Sequence, residues 1–182
     1  MTKENSSKHV GMIAIGAAMV AASIYFAMVS ITLAHLEVVS GQAPFDMRPF
    51  GYGPVEAASL LDALGMEGRQ YYLKRQIPLD ILYPALLALT LSCTVLWFGQ
   101  RLPNNRLVHL AVALSVGSAL FDYIENLGVV AMIWSWPDVS GPLVYATSTA
   151  TIAKSVTTML AVSLALLIGF IWTRLPKADV RV

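Results

Sequence analysis

The stretch LVHLAVALSVGSALFDYIENLGVVAMIW, residues 107–134, is apolar almost throughout. It is long enough to cross a bilayer as a helix, which takes about 20 residues. Within it Asp122, Glu125 and Asn126 stand three and four apart, so on a helix they share one face. A charge near the bilayer centre costs about 2.5–3.5 kcal/mol on insertion scales, and groups placed there face a bundle interior or a wet cavity. The rest of the chain reads as scaffold and partners for this cluster.

Three further apolar runs, at residues 10–34, 79–100 and 143–172, are equally long. With 182 residues, 57% of them hydrophobic and 13% charged, and a mean hydropathy of +0.65, the chain is too apolar for an ordinary soluble domain. The expectation is one all-α domain over residues 1–182, an integral membrane four-helix bundle. A net charge of +1 with no basic patch argues against nucleic acid as a partner. Cys93 is alone inside the second run, so there is no disulfide framework. No metal-ligand spacing and no glycine-rich phosphate loop stands out, and the sequence calls for no metal or cofactor. Lys3 and Lys8 ahead of the first run resemble the start of a signal peptide. That run of about 25 residues is too long for an h-region, and it lacks a convincing cleavage site. It reads as a retained span.

Charge gives the orientation. Lys3, Lys8, Arg101, Arg106, Arg174, Lys177 and Arg181 fall on one side of four spans, and the opposite short loop carries only Asp138. The positive-inside rule then puts the N- and C-termini in the cytoplasm and the long connection, residues 38–78, outside it. In that connection Pro44, Asp46, Arg48, Pro49 and the run Gly51, Tyr52, Gly53, Pro54 signal turns. A short amphipathic helix is expected over residues 54–64, opened by Pro54 and Glu56 and closed by Gly65, with Val55, Ala58, Leu61 and Leu64 on its apolar face. The basic and aromatic residues 69–75 suit headgroup level.

The first span is rich in Gly, Ala and Ser, which allow close helix packing in lipid. Its far end holds His35 and Glu37, read either as interfacial polar residues or as ligand contacts. In the second span Asp80 follows Pro78, where a carboxylate suits a helix N-terminus. Tyr83 and Pro84 lie one turn deeper on the same face. Pro84 also frees a backbone carbonyl that a neighbour or water must satisfy. The fourth span carries a polar stripe of Thr147, Thr151, Lys154, Ser155 and Thr158.

Asp122 and Lys154 each stand about 12 residues from the turn between their spans, roughly 18 Å at 1.5 Å per residue, so they can meet near the midplane. One lysine cannot neutralise Asp122, Glu125 and Asp80 together. These three acids are the candidate acid–base groups, and Tyr83, Asn126, Lys154, Thr151, His35 and Glu37 are the candidate ligand contacts. Three uses follow: a pocket for a small lipophilic ligand, with or without acid–base isomerisation; a non-enzymatic subunit of a larger membrane complex or homo-oligomer; or a proton- or ion-coupled protein.

The layout resembles the EXPERA superfamily, the four-span group of emopamil-binding sterol isomerases and sigma-2-receptor-like proteins. The likeness lies in the four spans, the long first outer connection, and short segments. These are Ile31, Thr32 and Leu33 running toward Glu37, then Tyr52, Gly53, Pro54, Val55 and Glu56 followed by Leu60 and Leu61. The resemblance implies a pocket for a sterol- or isoprenoid-like ligand, with Asp80 and Glu125 as pocket carboxylates. The isomerases pair a histidine with a glutamate one turn away in the second span, and nothing like that surrounds Asp80. They also use Asn and Trp late in the last span, where this chain has Lys154 and threonines.

Overall fold

The structure, a computed structural model, describes residues 3–102 and 106–175, with side chains from residue 9 onward. The side chains of Lys3 and Lys8, residues 103–105 of the expected positive turn, and Lys177 and Arg181 lie outside the described residues. The chain is helical, and no strand occurs among the described residues. Four of its helical stretches, His9–Ser40, Pro54–Gly99, Arg106–Trp134 and Gly141–Arg174, are long and apolar enough to cross a membrane.

The first helix does not stop at residue 34. Helix α1 (Lys3–Ala27) passes through a π-helical segment, Met28–Leu33, into α2 (Ala34–Ser40). Gly41 then ends it with φ 66°, donating its N–H to Glu37 O at 2.8 Å. A left-handed residue after a helix is most readily glycine, because no Cβ opposes it.

The connection also departs from expectation. Only residues 41–53 are irregular, with one 3-10 turn at Phe45–Met47. Helix α3 (Pro54–Tyr71) begins as anticipated: Pro54 stands first and Glu56 accepts the Gly53 N–H at 2.6 Å. Its buried face, however, is Ala57, Leu60, Leu61 and Leu64, while Val55 is 83% exposed and Ala58 lies outside. The two stripes share Leu61 and Leu64, but the one that turns inward adds Leu60 and so buries three leucines instead of two. Gly65, with φ 59° and ψ −173°, breaks the helix where its end was expected. The chain then resumes helix at once, through a π-helical segment (Tyr72–Gln76) into α4 (Ile77–Gly99). Arg69 bridges the break, donating from Nη1 to Leu61 O at 2.6 Å. The expected headgroup segment is therefore helix, with Lys74 and Arg75 exposed but Tyr72 and Gln76 fully buried.

Helices α4, α5 (Arg106–Trp134) and α6 (Gly141–Arg174) run back and forth from there. The packing order is α1 on α4, α4 on α5 and α5 on α6, with α4 also reaching α6. Small residues set these approaches. Ala14, Ala17 and Ala21 are buried on one face of α1, and Gly11 faces the Trp97 ring of α4. A Cβ on Gly128 of α5 would collide with the Thr147 side chain of α6. The stripe of small residues in α1 is thus used inside the fold. Among the described residues α1 makes no extended contact with α6, so the bundle stays open along that side.

Candidate functional site

The Pro84 carbonyl problem has a specific solution. Proline lacks the N–H that would bond the carbonyl four residues earlier, which is Asp80 O. Asn126 of α5 donates from Nδ2 to that oxygen at 2.9 Å. Tyr123, nearby on α5, donates its hydroxyl to Ile81 O at 3.1 Å. Asn126 therefore works as a donor to backbone rather than as a ligand contact. Asp80, in turn, does not cap a free helix end, since helix continues through it from Gln76. Its carboxyl is 3% exposed, with Oδ2 buried and unpartnered.

Lys154 lies opposite, on α6. Its Nζ contacts Glu125 Oε2 directly and stands 3.6 Å from Asp122 Oδ1. The expected pairing of Asp122 with Lys154 is thus a triad in which Glu125 is the nearer partner. Glu125 is 1% exposed and sealed within the helix contact, whereas Asp122 reaches the open side. The threonine stripe does not extend this polar surface far. Thr147, Thr151 and Ser155 each donate to the carbonyl four residues back in their own helix, at 2.8, 3.1 and 2.9 Å. Thr151 is fully buried and does not line the cavity.

The inward contribution of the 41–53 connection was missed by sequence reasoning. Phe45 and Tyr52 are buried together, ring centroids 4.8 Å apart, and they pin the irregular connection over the end of the bundle. Tyr52 N–H donates to Ser148 Oγ of α6 at 2.8 Å, and burial pushes the Tyr52 phenol well above its ordinary range. The same fold-over turns Asp46 inward. There the fully buried Tyr72 donates its hydroxyl to Asp46, and Asp46 lines the same cavity as Asp80. The signal in the sequence was a pair of aromatic residues in an otherwise turn-like connection.

These groups line a cavity of about 490 Å³. Asp80, Tyr83 and Leu87 come from α4, Asp122 from α5, and Lys154, Ser155 and Thr158 from α6. Asp46, Met47 and Pro49 close it at the connection. Tyr25 and Met159, 53% and 61% exposed, stand at its mouth, where α1 and α6 fail to pack. The π-helical Met28–Leu33 contributes Met28, Val29 and Leu33 to the wall. Such an extra residue in a helical turn recurs at functional sites. Thr32 ties this segment to the π-helical Tyr72–Gln76, donating to Gln76 Oε1 at 2.5 Å.

No family model, curated protein or solved structure matches this chain.

The remaining expected contacts lie elsewhere. His35 and Glu37 are exposed, and the His35 ring packs at a tilt against Tyr71, centroids 4.2 Å apart, away from the cavity. Glu125 and Asn126 sit behind its wall. Helix α3 does not cover it; the connection at Asp46–Pro49 does. Among the described residues no set of three or more His, Cys, Asp or Glu side chains is arranged to hold a metal ion.

Proposed function

We propose that this chain is a multi-pass membrane protein, both termini cytoplasmic, whose cavity binds a small lipophilic ligand entering sideways from the bilayer. The observation that carries this reading is where the cavity opens. Its mouth, between Tyr25 and Met159, lies midway along two apolar helices that make no extended contact among the described residues, so a membrane reading puts lipid beside it. Its apolar walls with a few convergent polar groups fit the usual make-up of small-molecule sites, which enclose about 300–1,000 Å³.

The polar end favours a hydrogen-bond donor. Asp46, Asp80 and Asp122 outnumber Lys154 on the lining, Lys154 is already held by Glu125, and Asp80 Oδ2 has no partner. A hydroxyl or amine on a sterol-, isoprenoid- or lipid-like body satisfies that oxygen, and an anionic head does not. Asp46 and Asp80, two carboxyl groups on the same cavity wall, also offer an acid beside a base. That pair supports proton transfer to one carbon of an unsaturated ligand and removal from another, an isomerisation that needs no co-reactant. In this assignment Asp80 and Asp46 touch the ligand, and Glu125 with Asp122 keeps Lys154 charged and in place. An EXPERA-like origin is compatible with this reading and is not required by it.

Native mass spectrometry with lipid extraction on gently purified protein tests it. A co-purifying neutral or basic lipid, near stoichiometric and lost in Asp80→Asn while the thermal transition is kept, is the expected result. Protein free of small molecules but carrying a stoichiometric partner chain would replace this reading with a subunit of a larger complex.

A further inference from the structure

A second concavity lies at the other end of the bundle, on the outside. Leu91, Thr94 and Phe98 of α4 and Ala165, Gly169 and Trp172 of α6 line an apolar groove of about 480 Å³. Gly169 keeps it open, since the nearest atoms to a Cβ there are on the Phe98 ring at 3.6 Å and any longer side chain would fill the space. Phe98 and Trp172, their rings tilted with centroids 5.1 Å apart, make its end wall, and Trp97 stacks behind Phe98 at the same centroid distance.

Two guanidinium groups flank that end. Arg101 lies over the Trp172 ring at 5.2 Å and Arg174 over the Phe170 ring at 5.0 Å. Phe170 and Trp172 both line the groove and, two residues apart on a helix, point to opposite sides of it. Both arginines are exposed, and among the described residues no carboxylate forms an ion pair with either. Stacking on aromatic faces holds each charge at the rim and leaves its N–H donors free.

We infer that this groove holds one anionic phospholipid, its acyl chain lying between α4 and α6 and its phosphate between Arg101 and Arg174. The charge argument selects the occupant. An apolar slot alone would take any lipid tail, but two exposed guanidiniums at its mouth favour a headgroup with net negative charge over a zwitterion. The proposal rests on the membrane reading above but not on the cavity ligand, and either can fail without the other.

The test uses purified full-length protein in a neutral detergent, titrated with phosphatidylglycerol or phosphatidylcholine and read by native mass spectrometry. One phosphatidylglycerol should bind in preference to phosphatidylcholine. Arg101→Gln with Arg174→Gln should weaken it roughly 30-fold, the loss of two surface charges. Gly169→Leu should weaken it with both arginines intact, which shows that the tail occupies the groove. Both arginines are exposed, so an unchanged thermal transition is expected for the double variant. Equal binding of the two lipids, or phosphatidylglycerol binding unaffected by Gly169→Leu in folded protein, would overturn the assignment.

Discussion

Removing Asn126 should reveal how much one side chain stabilises a helix broken by proline. Asp80 O lacks its helical partner because Pro84 has no N–H, and Asn126 Nδ2 replaces it at 2.9 Å in a buried setting. Leaving a buried carbonyl unsatisfied costs about 1–3 kcal/mol in general. Interhelical hydrogen bonds in a membrane protein average about 0.6 and reach about 1.7 kcal/mol, so Asn126→Leu should cost about 1 kcal/mol or somewhat more. Pro84→Ala restores an N–H that bonds Asp80 O within α4. In that background Asn126→Leu should lose most of its effect, giving a coupling of about 0.6–1.7 kcal/mol in the double-mutant cycle. Equilibrium unfolding in mixed detergent micelles measures all four proteins. If Asn126→Leu costs the same with proline and with alanine at position 84, to within about 0.3 kcal/mol, the bond does not do what is claimed for it.

Lys154→Met strands Glu125 in a nearly sealed site, a loss of about 3–5 kcal/mol for an unpaired buried charge, seen as failure to survive detergent extraction. Adding Glu125→Gln should recover more of that loss than adding Asp122→Asn, because Glu125 is the nearer partner; the reverse ranking would put Asp122 at the centre of the triad. Gly128→Ala drives a methyl into Thr147 and should lower stability by about 1–3 kcal/mol, with partial recovery on Thr147→Ala, as read by thermal denaturation. Tyr72→Phe removes the donor that holds Asp46 and should raise hydrogen exchange in the 41–53 connection while leaving α5 and α6 unchanged, a contrast that mass-resolved exchange reports directly.

Much of this architecture was legible in the residues because hydropathy and proline chemistry are local. The four long apolar runs predict four long helices, and a proline inside one of them predicts an orphaned carbonyl at Asp80. What supplies the missing donor was not legible, since Asn126 meets Asp80 only through the register of α5 on α4. For the same reason Glu125 rather than Asp122 is the closer partner of Lys154: both stand on the correct face, and a fraction of a turn decides between them. Asp46 escaped notice because it sits among Pro44, Arg48 and Pro49, a setting that signals a turn. Its inward position depends on Phe45 being buried from within that turn. The helix through residues 66–76 was hidden by Gly65, whose dihedrals interrupt the helix without ending it. The threonines of α6 looked like a polar lining, yet the local back-bonding open to any Ser or Thr in a helix absorbs most of them.

The central claim is that the cavity between α1 and α6 receives a lipophilic molecule from the side. Photo-crosslinking in native membranes tests it most directly, with benzoylphenylalanine placed at Met159 on the mouth and, as a control, at Ile13 on the outer face of α1. The account predicts one discrete small-molecule adduct at position 159, suppressed when Leu87→Trp fills the cavity, and only heterogeneous bulk-lipid adducts at position 13. The same mixture of bulk-lipid adducts at both positions, unaffected by Leu87→Trp, would contradict it.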